Sequence, residues 1–288
     1  MAITDIENQV HEGIRKTIRR FRLRPYEFFT EAELHTSLRQ DIRAGHSKIM
    51  TARPGNLAVT LVHQEYPTNF RYSKSGLLRV GQGGQITPGY RGIPLTETDL
   101  NCRKGDRGHF DLAVLSPDFL DDRLPKAGTS SGSLEEGLRH VINKRISLAQ
   151  ERFTDNPRKH RQELLYAIEV KYIHLFNAGH SNMLREVAAD CEKLHLAHAH
   201  SGGFVKPICI VFCSSKVHKG RGKKAPLVDQ LAKLAEGQLG SYKVPKDVAL
   251  IFVRSFLSEG DEKSTPRTIV SPAKGGESWV GALRRAVK

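Results

Sequence analysis

The chain has 288 residues, and its 45 Lys and Arg against 31 Asp and Glu give a formal net charge of +14. This length allows one large domain, and a composition with 39% apolar residues excludes a wholly disordered chain. Because no apolar run is long enough to span a bilayer, we expect the positive charge to serve an anionic partner, with nucleic acid as the first hypothesis.

The N-terminal residues and the cysteines predict the same cellular compartment. The N-terminal residues carry early acids and no apolar segment of the kind that opens a secretory signal. The four cysteines are Cys102, Cys191, Cys209 and Cys213. They form no Cys-x-x-Cys pair, and Cys209 and Cys213 lie in an apolar run that is more typical of core residues than of metal ligands. A reducing cytoplasm is therefore the expected compartment.

The first predicted element is a helix from about Ile6 to Phe21, in which apolar residues recur at helical spacing. Its opposite face is basic, and Arg19 and Arg20 on that face are candidate DNA contacts. A solvated helix face explains the same charges equally well, so both interpretations stand. Residues 1–25 form this N-terminal unit.

A second helix is predicted after Pro25, with Thr30 as its N-cap and Glu33 completing a capping box. A strand follows and is predicted to stop at Pro67. Two short strands, around "SGLLRV" and "GQITPG", are then joined by a glycine-rich turn.

The remaining elements alternate between strands and helices. A strand around Asp111 is followed by a helix from Ser133 to about Phe153, within a helical insertion of about residues 119–160. This order predicts an α/β sandwich around a mixed sheet. The later predicted elements are the strand "ELLYAIEVKYI", a helix from Ser181 to about Ala199, the strand "FVKPICIVFCS", the helix "LVDQLAKLAEG", the strand "DVALIFVRS" and a short terminal helix.

An acid and a base share one face of the most apolar strand. Glu169 and Lys171 are two residues apart, so their side chains point to the same side. Charges in such a strand need compensation, which either a divalent metal or an internal salt bridge would supply. If the strand of Asp111 lies alongside, Asp111 and Glu169 could bind one ion together with the carbonyl of Val170.

This "D…ExK" pattern resembles the PD-(D/E)xK nuclease superfamily over roughly residues 30 to 255. The resemblance implies a restriction-endonuclease-like fold, whose nuclease domain would span 26–258, with 259–288 as a C-terminal tail. Asp111 follows Phe110 and not the proline of the motif, which many members of the superfamily lack. Asp111 and Glu169 are 58 positions apart in the sequence, which is more than a hairpin needs, so we expect the helical insertion to lie between the two catalytic strands.

The resemblance also implies the site. Asp111, Glu169 and Val170 would bind Mg²⁺ or Mn²⁺, and Lys171 would orient the attacking water. A further catalytic acid is expected at Glu31, which lies on the inward helix face in a run similar to that of archaeal Holliday-junction resolvases. The alternatives are Glu33 and, more weakly, Glu65.

The expected function is that of a Mg²⁺-dependent endodeoxyribonuclease in DNA repair, recombination or defence, acting alone, as a homodimer or with protein partners. The alternatives are a catalytically silent DNA-binding or assembly module and a structural protein in which Glu169 and Lys171 form only a salt bridge. A basic loop offers further phosphate contacts at Lys216, Lys219, Arg221, Lys223 and Lys224.

The helix after the Glu169 strand carries a weaker signal. Cys191 and His195 lie one turn apart on it, but no second ligand pair at finger-like spacing supports a zinc site. Lys193 and the histidines of this helix could instead face DNA.

Overall fold

A computed structural model describes residues 3–44, 51–52, 59–72, 78–80, 86–88, 106–118, 163–173, 180–214, 244–255, 267–270 and 283. Several predicted features lie outside these residues. They are the helical insertion of 119–160, the basic loop of 216–224, the helix predicted after that loop, and all but one residue of the predicted terminal helix.

The helices α1 (Ile3–Leu23), α2 (Glu31–Ala44) and α3 (His180–His200) confirm the predictions made for these segments. A short 3-10 turn at Pro25–Glu27 separates the first two. The apolar stripe of α1 is buried, which is why a helix with so many basic residues is stable in this position. Its members are Ile6, Val10, Ile14, Ile18 and Phe21.

Helices α1 and α2 approach closely at one glycine. A Cβ added to Gly13 would lie 2.5 Å from the Cα of Ile42. The side-chain amide of Gln9 donates to the carbonyl of Ile42 at 2.9 Å, and Thr17 donates to Asp41 at 2.8 Å. The absence of a side chain at Gly13 therefore sets the separation of the two helices.

The described strands form one six-stranded sheet and two small two-stranded sheets. The strands are β1 (Thr51–Ala52), β2 (Val59–Thr60), β3 (Val62–Tyr72), β4 (Leu78–Val80), β5 (Ile86–Pro88), β6 (Asp106–Leu115), β7 (Leu164–Ile173), β8 (Lys206–Cys213), β9 (Ala249–Arg254) and β10 (Arg267–Val270). In the large sheet the order is β10-β9-β8-β7-β6-β3, with parallel pairing from β7 to β9 and antiparallel pairing elsewhere, so the sheet is mixed as predicted.

Helices cover both faces of this sheet. On one face the ring of Phe21 from α1 packs against the rings of Tyr172 and Phe212, with centroids 6.1 and 4.9 Å away. On the other face α3 brings Lys193 to Glu169, which points away from Tyr172 because the two are an odd number of residues apart along β7. The chain is therefore an α/β sandwich.

Two strand predictions need correction. The strand predicted to stop at Pro67 continues to Tyr72, because β3 is an edge strand and a residue without an N–H is tolerated there. The four residues of β10 pair with β9 within the segment assigned to a C-terminal tail. That segment therefore contributes a strand to the sheet. None of the helices described is long and apolar enough to cross a membrane.

Candidate active site on the sheet

Three acidic residues lie in one row across three neighbouring strands. The paired register of β6 and β7 ends where Leu112 faces Ile168, so the next two positions are Asp111 and Glu169. On the other side of β6, the register with β3 places Glu65 opposite Asp111. Residues opposite each other in antiparallel strands share a face. The sheet therefore brings the two predicted metal ligands to the same side.

Asp111 takes over a hydrogen bond at the point where the strand pairing ends. Its Oδ2 accepts from the N–H of Val170 at 2.7 Å and lies 3.5 Å from Nε2 of His35. Burial raises the pKa of Asp111 above its ordinary value, and His35 and the Val170 N–H act in the opposite direction. It is thus the N–H of Val170 that contacts the predicted site.

Glu169 is the most deeply buried acid of the row, with 2% of its surface exposed. Its Oε1 lies 2.7 Å from Nζ of Lys193, which also donates to the carbonyl of His109 at 2.7 Å. Burial raises the pKa of Glu169 well above its ordinary value, and Lys193 partly offsets this, whereas the negative charges of Asp190 and Asp111 add to it. An ammonium group therefore already lies against Glu169 and offsets part of the cost of burying its charge.

Lys171 lies between two carboxylates. Its Nζ is 3.4 Å from Oδ2 of Asp190 and 3.6 Å from Oε1 of Glu31. Burial alone would lower the pKa of Lys171, but Asp190 and Glu31 raise it above its ordinary value. The side chain is therefore a fixed cation at neutral pH, 20% exposed.

The two acids at the start of α2 have different partners. Glu31 Oε2 accepts from the N–H of Tyr172 at 2.9 Å, which anchors the acid that faces Lys171. Glu33 instead accepts from the N–H groups of Phe29 and Thr30, and these bonds lower its pKa. Glu33 therefore completes the predicted capping box, and the structure places Glu31, the acid preferred from the sequence, beside Lys171.

His35 and Glu65 join Asp111 in a second grouping that the sequence did not single out. One ligand atom from each of the three residues lies within 4.8 Å of the other two. His35 is 9% exposed, and its buried Nε2 has no hydrogen-bond partner among the described residues. Glu65 has a φ of +49°, unusual for a residue with a side chain, and was ranked below Glu31 as a ligand. The spacing of Glu31 and His35, four residues apart on one helix, was the signal available for His35.

Helix α3 supplies residues that contact Glu169 and Lys171 of β7. The suggestion that Lys193 faces DNA is wrong, because Lys193 is 6% exposed and contacts Glu169. The zinc pair is not formed either. Cys191 lies against Cys209 of β8, and His195 pairs with Asp247 at 2.8 Å.

The predicted DNA contacts on α1 differ in their surroundings. Arg20 forms an ion pair with Asp41 and a hydrogen bond with Ser37, so much of its charge is used inside the protein. Lys16 lies 3.1 Å from the same Asp41. Arg19 is exposed. Lys216, Lys219, Arg221, Lys223 and Lys224 lie outside the described residues.

Comparisons with protein-family models, with curated proteins and with solved structures find no match to this chain.

Proposed function

We propose that the chain is a divalent-metal-dependent endonuclease that hydrolyses DNA phosphodiester bonds, with Mg²⁺ or Mn²⁺ as its cofactor. One observation carries this proposal. Asp111 on β6 and Glu169 on β7 lie at facing positions of the two strands, and Lys171 extends from the same face of β7 as Glu169. Carboxylates that can bind a cation beside a fixed ammonium group are suited to a reaction that builds negative charge on a phosphate.

The donor atoms fit a metal ion. Asp111 and Glu65 offer carboxylate oxygens, and His35 offers a buried nitrogen to which no described residue is hydrogen-bonded. Two carboxylates converging in a partly buried place repel each other unless a positive charge lies between them. A bound divalent ion would relieve this repulsion and would polarise the scissile phosphate.

The raised pKa of Lys171 supports an electrostatic role for this residue. A lysine that keeps its proton at neutral pH does not serve as a general base. Its ammonium group can instead bind a phosphate oxygen and stabilise the charge that develops during hydrolysis. Glu31 and Asp190 then act as positioning residues, because they hold the ammonium group from two sides.

The net charge of +14 supports a polyanionic substrate. Arg19 and the five basic residues of the loop at 216–224 are the proposed backbone contacts. Such contacts bind phosphates without reading sequence, and they make affinity fall as salt rises.

The test is incubation of the purified chain with supercoiled, linear and branched DNA in Mg²⁺ or Mn²⁺. The proposal predicts cleavage that EDTA abolishes and that Asp111→Asn reduces by about a hundredfold or more. Glu186→Gln, which removes an exposed charge on α3, is the matched control and should cleave like the wild type. Intact DNA under all of these conditions would contradict the proposal.

The pair between Lys193 and Glu169 also favours a second candidate, a nuclease-like module that binds DNA without cleaving it. In that case Lys193 permanently replaces a metal ion at Glu169. DNA affinity would then be salt-dependent but indifferent to Mg²⁺, Mn²⁺ and the Asp111→Asn change, and no cleavage would occur.

A further inference from the structure

We infer that the metal ion binds on the β3 side of Asp111, between Asp111, Glu65 and His35, and that the site selects Mn²⁺ over Mg²⁺. This differs from the ligand set predicted from the sequence, which comprised Asp111, Glu169 and Val170. The inference deepens the proposed function, since it specifies the cofactor of the same site.

The β7 side of Asp111 is already neutralised. The ammonium group of Lys193 lies 2.7 Å from Glu169, and the two side chains are only 8% and 2% exposed. An ion at Glu169 would have to displace this buried amine or share the carboxylate with it at the expense of like-charge repulsion. Lys193 therefore takes the place that a second cation would have, and Glu169 is left as its counter-ion.

The β3 side differs, because no lysine or arginine among the described residues forms an ion pair with Asp111 or Glu65. The ligand atoms of His35, Glu65 and Asp111 lie within 4.8 Å of one another. Nε2 of His35 is buried, lies 3.5 Å from Oδ2 of Asp111 and has no hydrogen-bond partner within the part of the chain that the structure describes. A buried polar atom left without a partner is unfavourable unless a bound group satisfies it. A metal ion would satisfy this nitrogen.

Access to this side is also better. Glu65 is exposed, whereas Glu169 is buried, so a hydrated ion and a phosphate can reach Glu65 from solvent. Oδ2 of Asp111 accepts from the N–H of Val170 and lies 3.5 Å from Nε2 of His35. Its other oxygen remains as a further ligand atom for the ion.

The imidazole determines which ion is preferred. Mg²⁺ favours oxygen ligands and keeps much of its water. Mn²⁺ also accepts carboxylates but, as a transition metal, binds nitrogen donors more strongly than Mg²⁺ does. A set of one imidazole and two carboxylates therefore predicts a preference for Mn²⁺. Replacing the imidazole by an amide should remove most of that preference.

The test is a titration of the full chain with Mn²⁺. Binding is measured as the loss of the free-ion electron paramagnetic resonance signal, and competition with Mg²⁺ measures the preference between the two ions. We expect His35→Gln and Glu65→Gln each to weaken Mn²⁺ binding by about tenfold or more. His35→Gln should also bring the affinities for the two ions closer together. Glu169→Gln should weaken binding less than Glu65→Gln does.

The matched controls are His195→Gln, which alters another helical histidine beside a carboxylate, and Glu186→Gln on an exposed helix face. Both should bind Mn²⁺ like the wild type. Circular dichroism melting of each variant checks folding, and Glu65→Gln, at an exposed position, keeps the test valid if His35→Gln is unstable.

Two results would overturn the inference. The first is absence of Mn²⁺ binding by the wild type at millimolar ion. The second is loss of binding in Glu169→Gln while His35→Gln and Glu65→Gln bind normally, which would move the ion to the β7 side. A wild type that binds Mn²⁺ as described but cleaves no DNA would uphold the metal site and contradict the nuclease instead.

Discussion

The ammonium group of Lys193 on α3 lies 2.7 Å from the carboxylate of Glu169 on β7, and both side chains are almost fully buried. Removing one partner of a buried ion pair leaves the other charge without compensation. We therefore expect Lys193→Met to lower the free energy of unfolding by about 3 kcal/mol or more at neutral pH, measured by urea denaturation.

The double variant Lys193→Met with Glu169→Gln separates charge from packing. Because it removes both charges, it should regain part of the stability that Lys193→Met loses. The contradicting result is a loss of free energy of unfolding in the double variant that equals or exceeds the sum of the losses in the two single variants. That result would show that the two groups are not coupled and that the ion pair does not hold α3 at this position.

The fixed charge of Lys171 can be tested separately from DNA binding. Lys171→Met should reduce the cleavage rate by about a hundredfold, because it removes a cation aimed at the developing phosphate charge. DNA affinity at fixed salt should change little, since most of the affinity is expected from the many basic residues elsewhere. Lys206→Met, which alters a lysine of β8 that is paired with Glu7, is the control. Equal cleavage rates in the two variants would contradict the role of Lys171.

The contact of α1 with α2 predicts an unusual effect of alanine in a helix. Alanine normally favours a helix over glycine by about 1 kcal/mol. At Gly13, however, the new Cβ would meet the backbone of Ile42 at 2.5 Å, so the helices would have to move apart. We expect Gly13→Ala to lower the free energy of unfolding by about 1 to 3 kcal/mol.

Arg19→Ala, on the exposed face of the same helix, is the control for Gly13→Ala and should stay within about 0.5 kcal/mol of the wild type. Thermal or urea unfolding of the two variants measures the difference. A Gly13→Ala variant more stable than the wild type would show that α1 and α2 are not in close contact.

His11 predicts a pH dependence of stability away from the candidate site. Burial lowers its pKa from 6.5 to about 4, and its Nε2 lies 3.1 Å from the hydroxyl of Tyr166. Between those pH values the unfolded chain binds a proton that the folded chain does not. The stabilising contribution is therefore present above pH 6.5 and is lost as the pH falls toward 4, with a slope of up to about 1.4 kcal/mol per pH unit.

His11→Gln should flatten this dependence. Urea unfolding at several pH values between 7.5 and 4.5 measures the slope for both proteins. The comparison at pH 7.5, where histidine is neutral in either state, isolates the effect of the substitution on packing. An identical slope in the wild type and the variant would show that His11 is protonated in the folded protein.

The helices and central strands could be predicted because their patterns are local. The apolar spacing of α1 and the alternation or apolar runs of β6 to β9 are set by which side of each element is buried. The path of β3 through Pro67 could not be predicted, because it depends on β3 lying at the edge of the sheet. The four-residue β10 is too short to give a period and forms only against β9.

The candidate site was predicted where the acids belong to central strands. Asp111 and Glu169 are isolated charges in apolar runs, and Glu31 lies on the inward face of an amphipathic helix. His35, Asp190 and Lys193 could not be assigned, because helical spacing does not say which strand a helix crosses. Glu65 was ranked low because its positive φ breaks the alternation from which its direction would be read.

The central claim is that the row of acids holds a catalytic cation at Asp111. The most direct measurement is an anomalous difference map from crystals of the full chain grown with Mn²⁺ and a short DNA duplex. We expect a peak bonded to Asp111 and on its β3 side, within bonding distance of Glu65 and His35, with a backbone phosphate between the ion and the amine of Lys171. A map with no peak at Asp111, in crystals that contain Mn²⁺ and DNA, would contradict it.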